Sequence, residues 1–228
     1  MSAETSRLPA EWEPQSGVML TWPHPGTDWA DRLDQVLPVF AGIGSAVSQR
    51  ESLLSVCRSV EFAAMVRERL LAAGAVPGRL LFALADSDDS WARDHGPLTT
   101  LGSGGPVLND FRFNGWGGKF AASRDDAISA ALAAGGSFPR SALVSRAMVL
   151  EGGAIETDGA GTLLATRSSV VTATRNPGLD TAAVEARLGE FLGLDHFLWL
   201  DHGDISGDDT DGHVDTLARF ADPQTILY

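Results

Sequence analysis

Short apolar runs and longer amphipathic stretches alternate along this chain. The runs at residues 18–22, 53–57 and 80–84 predict buried strands. Leu33, Val36, Leu37, Phe40 and Ile43 fall at three- and four-residue spacing and predict a helix over residues 29–49, with Pro38 inside it as a kink or an early break. Residues 60–73 predict a second helix, closed by Gly74. Residues 98–101 and 107–113 predict paired strands across a glycine-rich turn at 102–105, followed by a glycine-rich loop at 114–119 and a helix at 124–134. Three short strands follow at 148–150, 154–157 and 162–166, the last two joined by a turn at 158–161. Residues 181–192 predict a helix capped by Asp180 or Thr181. Residues 197–200 and 214–220 predict strands, and 225–228 begins one more.

The rhythm is strand, strand, helix, strand, repeated about three times at roughly 60-residue spacing. Strands too short for a wide sheet, in repeated units, point to radial packing of small α/β modules. A doubly wound parallel sheet is the rival, weakened because no G-x-G-x-x-G follows a first strand. The chain stops in or just after a strand, whereas a repeat architecture closes its last unit. The expectation is therefore one catalytic domain over residues 1–228, incomplete at its C-terminal side and part of a longer protein.

Composition narrows the function. A net charge of −13 argues against nucleic acid as partner and fits a small cationic substrate. Hydrophobic content of 44% with 21% charged residues argues against disorder. No apolar run reaches a membrane-spanning length, and polar residues 1–7 lack a signal-peptide core, so the expected setting is cytoplasmic with no membrane partner. One cysteine, Cys57, excludes an internal disulfide framework and any cysteine-cluster metal site, and its apolar surroundings mark it as structural.

Candidate chemistry gathers in three stretches. Residues 207–215 carry His213 and Asp215, which would share one face if a strand starts there. The aspartates around them make a negative field that favours a cationic substrate and a protonated imidazole. Residues 88–97 carry Trp91, Arg93 and Asp94; residues 151–154 carry Glu151 beside two glycines. Three acids and an imidazole suit a metal or a guanidinium ion, whose planar fork of donors two carboxylates can grip. The metal reading is the weaker, lacking both an H-E-x-x-H pattern and a calcium-loop spacing. Blander readings stand beside these: Asp94 and His213 as turn residues, Asp208, Asp209 and Asp211 as a solvated acidic loop, Trp91 and Trp116 as core aromatics. His24, His95 and His202 read as structural, and Arg93 as the partner of a neighbouring acid.

Taken in order, the segments 9–14 (PAEWEP), 91–97 (WARDHGP), 113–119 (FNGWGGK), 151–153 (EGG), 158–159 (DG), 176–177 (NP) and 210–215 (TDGHVD) resemble the agmatine deiminase / bacterial-type peptidylarginine deiminase family of the guanidine-modifying (pentein) superfamily. The 113–119 segment leans toward the agmatine branch. The resemblance implies a five-bladed α/β propeller of ββαβ modules, about three of them present in these residues. It implies hydrolysis of agmatine to N-carbamoylputrescine and ammonia, on the route to putrescine, with no metal or organic cofactor, by a homodimer or larger assembly. It assigns Asp94 and Asp215 to the guanidinium, His213 to general acid/base work, Glu151 to orienting His213 and the substrate, and Trp91 and Trp116 to lining the site.

The family's nucleophile is a cysteine near the C-terminus in a glycine-rich segment, which this chain does not contain. The chain as given is therefore expected to be inactive, its nucleophile lying outside residues 1–228. Two other functions stay open: a non-catalytic guanidine-binding protein, and deimination of arginine in a peptide, whose carboxylate would need Arg112 or Lys119.

Overall fold

The computed structural model describes residues 6–228; residues 1–5, part of the polar N-terminus, lie outside the described residues. In chain order the strands are β1 (Gly17–Thr21), β2 (Ser52–Cys57), β3 (Leu80–Leu84), β4 (Leu98–Gly102), β5 (Gly105–Arg112), β6 (Ala142–Val149), β7 (Ile155–Thr157), β8 (Thr162–Thr166), β9 (His196–Leu200), β10 (Arg219–Asp222) and β11 (Thr225–Leu227). The longer helices are Leu33–Ser48, Val60–Ala72, Asp125–Ala134 and Thr181–Leu192. These elements form two compact units.

One unit holds residues 14–92 and 122–137. Its sheet is parallel throughout, in the order β1-β2-β3, with Val18 opposite Leu53 and Leu53 opposite Leu80. Parallel strands need crossovers, supplied by the helices Leu33–Ser48 and Val60–Ala72. Those helices bury Leu37, Ala41, Val66 and Leu70 against Trp22, Leu53 and Cys57. Pro38 does not break its helix. The bond it removes would reach the carbonyl of Asp34, an exposed first-turn residue with access to water. Ser59 caps the second helix by accepting from the Phe62 amide at 3.1 Å.

The other unit holds residues 6–13, 93–121 and 138–228 of the described chain. β4 and β5 form the expected hairpin, and β6 joins β5 in parallel. β7 and β8 repeat the pattern with β9 parallel to β8, and the helix Thr181–Leu192 makes the connection. Val184, Leu188 and Leu192, one turn apart, are fully buried in a core with Leu163, Ala165, Met148 and Leu150. Asp180, rather than Thr181, caps this helix, accepting from the Ala183 amide at 2.9 Å, and Gly193 ends it at φ 71°. β10 and β11 pair as a separate hairpin.

Two sequence expectations fail here. β6 runs over eight residues where only 148–150 was expected, because Ser145 and Arg146 interrupt its apolar pattern. The strand expected at 214–220 is a 3-10 turn at Val214–Thr216, followed by β10 from Arg219. Val214, Ala218 and Leu217 are spaced as on a helix, so the apolar run concealed a turn. The Thr216 hydroxyl closes it, donating to the His213 carbonyl at 2.8 Å. His213 and Asp215 are therefore not neighbours on one strand face.

Candidate functional site

Five of the six residues singled out by sequence for the site, Asp94, Trp116, Glu151, His213 and Asp215, gather within the second unit described. Gly153 shows how closely. A Cβ on this glycine would lie 2.7 Å from His213 Nδ1 and 2.8 Å from both Asp215 Oδ2 and Asp94 Oδ1. Three polar atoms thus share one small volume over a backbone that must be glycine. The short 3-10 turn Gly152–Ala154 places it there, just after Glu151 ends the run from β6.

Asp94 is anchored on both oxygens. Oδ1 accepts from the Gly153 amide at 3.0 Å and lies 3.7 Å from His213 Nδ1; Oδ2 accepts from the Trp116 indole at 3.0 Å. Burial raises its pKa to about 6, against those two donors, and nearby Asp215 adds to the rise. Asp215 is also raised by burial, with Arg93 and Arg219 opposing. Arg93 pairs with an acid as expected, its partner being Glu11 at 2.6 Å.

Trp116 is buried, with φ 55° in a turn that Asn114 holds by accepting from the Gly117 amide at 2.9 Å. Phe113 and Phe120 meet its ring edge-on, at 5.1 and 5.6 Å. It positions Asp94 by its N–H. Trp91 belongs to the first unit described, where it is 40% exposed and packs 6.1 Å from Trp29.

Glu151 is wholly buried, its Oε2 4.0 Å from His213 Nε2, which has no hydrogen-bond partner. Arg175 Nε donates to both Glu151 oxygens, at 2.9 and 3.0 Å. Burial still raises the Glu151 pKa, to about 7, with Arg175 opposing. His213 is lowered to about 4, first by burial and then by the Arg175 charge, which Asp208 and Asp211 oppose. The imidazole is thus neutral at pH 7, contrary to the expectation from the surrounding aspartates. Desolvation outweighs their field, and Asp211 is itself spent on two cations: Oδ1 accepts from Lys119 at 2.6 Å and Oδ2 from Arg175 at 2.7 Å.

The acidic loop is an ordered device. Asp208 accepts from the Thr210 amide and hydroxyl and from the Gly212 amide, at 2.9, 2.6 and 2.6 Å. The Thr210 hydroxyl in turn accepts from the His213 amide at 3.0 Å. Gly212, at φ 84°, lies against Gly203, so the chain reaches His213 through a turn only glycine permits. Lys119, a candidate partner for a substrate carboxylate, is engaged with Asp211 and the Asp209 carbonyl, while Arg112 is exposed.

Sequence reasoning missed Arg175. Its signal was indirect: three buried acids need a cation, and Arg175 immediately precedes the Asn176-Pro177 pair. Among the described residues no group of three His, Cys, Asp or Glu side chains is arranged to hold a metal ion, and no helix is long and apolar enough to cross a membrane. Cys57 is buried in the first unit, and burial raises its thiol to about 12.

A family profile described as Porphyromonas-type peptidyl-arginine deiminase matches residues 7–228. An agmatine deiminase of Stutzerimonas stutzeri is 34% identical over 227 residues, covering 96% of this chain and 59% of the relative. A solved agmatine deiminase of C. jejuni, a cysteine-to-serine variant with substrate bound, superposes with a TM-score of 0.89 at 31% identity, over 99% of this chain and 65% of that one. The agmatine deiminase of Enterococcus faecalis superposes with a TM-score of 0.85 at 30% identity, over 97% of this chain and 60% of that one. The chain thus spans about 59% of the length of the curated relatives it matches.

Proposed function

This chain belongs to the Porphyromonas-type peptidyl-arginine deiminase family, and from that premise we propose that it carries the guanidinium-binding and acid/base part of an agmatine deiminase. The observation that carries the reading is the convergence of Asp94, Asp215 and His213 over Gly153, with Glu151 behind the imidazole. Two carboxylates at one small volume suit a planar cation with donors on several edges. In this reading the three-stranded sheets are blades of a five-bladed propeller, and residues 1–228 belong to one catalytic domain.

The reaction is agmatine plus water giving N-carbamoylputrescine plus ammonia. It needs a nucleophile at the guanidinium carbon, and Cys57, buried with its thiol at about 12, is unsuited. The thiol belongs to the part of the family's length that these residues do not match. Neutral His213 accepts the thiol proton and the thiolate attacks the guanidinium carbon. His213 returns that proton as ammonia leaves, forming a thiouronium, then accepts one from the attacking water and gives it back to the thiolate as the C–S bond breaks and N-carbamoylputrescine is released, the remaining hydroxyl proton passing to ammonia. Asp94 and Asp215 hold the remaining guanidinium nitrogens, and their charge favours the cation throughout.

Agmatine, which carries no carboxylate, is the substrate proposed; of the two candidate partners for the α-carboxylate of a terminal arginine, Lys119 is already engaged with Asp211 and the Asp209 carbonyl, while Arg112 is exposed. The test is ammonia release by the whole protein from agmatine and, separately, from an arginine-containing peptide. Turnover of agmatine that thiol alkylation abolishes supports the reading. Turnover of the peptide alone moves the chain to the peptidyl-arginine branch, and guanidine affinity without turnover makes it a binding protein.

A further inference from the structure

Arg175 is fully buried, and each of its side-chain nitrogens donates. Nε serves both oxygens of Glu151, Nη1 serves Asp211 Oδ2 at 2.7 Å, and Nη2 serves the Thr210 carbonyl at 2.9 Å. These partners come from two segments, and Lys119 ties on a third through Asp211 Oδ1 and the Asp209 carbonyl. Among the described residues, the two non-glycine positions with positive φ are Trp116 at 55° and Asp211 at 67°, one in each of the loops so joined. Such conformations persist only where the surroundings over-determine them. Trp116 then holds Asp94, and Asp211 leads through Gly212 into His213.

From this geometry we infer that Arg175 is a positioning residue, which acts through Glu151 and the 210–212 loop to hold His213 and to decide where the site keeps its protons. Glu151 and His213 face each other at 4.0 Å with His213 Nε2 unpartnered, so one proton can sit on either. A guanidinium fixed on Glu151 favours the carboxylate and opposes the imidazolium. The other charged groups bearing on the pair are Asp94, Asp208, Asp211 and Arg93, with Asp215 across Gly153. Without Arg175, Glu151 would be a buried acid with no counter-ion.

The consequence for catalysis rests on the guanidine reading, but the test does not. The Glu151 carboxyl and the His213 ring are titrated by carbon-13 and nitrogen-15 NMR in the protein, in Arg175→Gln and in Arg175→Lys, with Glu151→Gln assigning the carboxyl signal. In Arg175→Gln the proton affinity of Glu151 should rise at least tenfold, about one pH unit. A purely structural arginine predicts the opposite sign, because a loosened site admits water and Glu151 falls toward the ordinary carboxylate range. A fall, or an unchanged midpoint, overturns the inference. Should the glutamine variant not fold, Arg175→Lys decides. Its single ammonium cannot serve Glu151, Asp211 and the Thr210 carbonyl together, so the Glu151 midpoint should again rise, by less, and an unchanged midpoint or a fall overturns the inference. Agmatine added to the protein reports separately. Titrations as expected, with no agmatine-dependent change at His213, would sink the guanidine reading and leave the role of Arg175 standing.

Discussion

Gly153 and Trp116 show how single residues shape this site. Gly153→Ala would place a methyl group 2.7–2.8 Å from three polar atoms, so either the acids or the backbone must move. Overpacking of this kind costs about 1–3 kcal/mol, to be read from the denaturant midpoint. If the proposed guanidine reading holds, misplacing these carboxylates should lower agmatine turnover by the whole protein about 100-fold. Trp116→Phe keeps the ring but removes the donor on Asp94 Oδ2. The expected loss is about 1–3 kcal/mol, measured by urea unfolding, with the Asp94 midpoint moving further up because a bond favouring its ionised form is gone. An unchanged Asp94 midpoint in this variant would contradict the role assigned to the indole.

At the scale of elements, the helix Thr181–Leu192 was readable because period, cap and stop agree: Val184, Leu188 and Leu192 face the core, Asp180 caps and Gly193 terminates. Asp180→Ala should cost about 1 kcal/mol of stability. Leu188→Ala, at a fully buried position, should cost about 2–5 kcal/mol, with both losses read from thermal or urea unfolding. Where local signals disagreed, the structure departs from expectation. The segment 214–220 has strand-like composition, but the Thr216 hydroxyl bond to the His213 carbonyl and the helical spacing of its buried residues make it a turn. That turn sends His213 and Asp215 to the same glycine by a route no strand face provides.

For the molecule as a whole, the buried site groups couple function to stability through pH. The folded pKa of Asp94, about 6, exceeds its ordinary value of 3.8, so the stability linked to its neutral form is complete below 3.8 and lost as pH rises through 6. The size of that loss is about 3 kcal/mol. Asp94→Asn should therefore gain stability relative to wild type as pH rises from 4 to 7, in urea unfolding at each pH, and on the proposed reading it should also lose guanidine binding. His213 has the opposite sign: its folded pKa of about 4 lies below 6.5, so its contribution is present above 6.5 and lost as pH falls through 4. The two oppose each other, but Glu151, raised to about 7, adds to the Asp94 trend, so replacing His213 should steepen the loss of stability as pH rises and replacing Asp94 should lessen it. By itself, the sequence determined what local pattern can encode: the first strands and their helices, the β4–β5 hairpin, the capped helix, and a short set of acids and one imidazole as candidates for a site. Only the tertiary structure decided the state of those groups, because desolvation depends on what lies around a side chain and sequence spacing does not report it. It made His213 neutral among aspartates, gave Trp116 the task of holding Asp94, and brought Arg175, unremarkable in the chain, to Glu151 as its buried counter-ion.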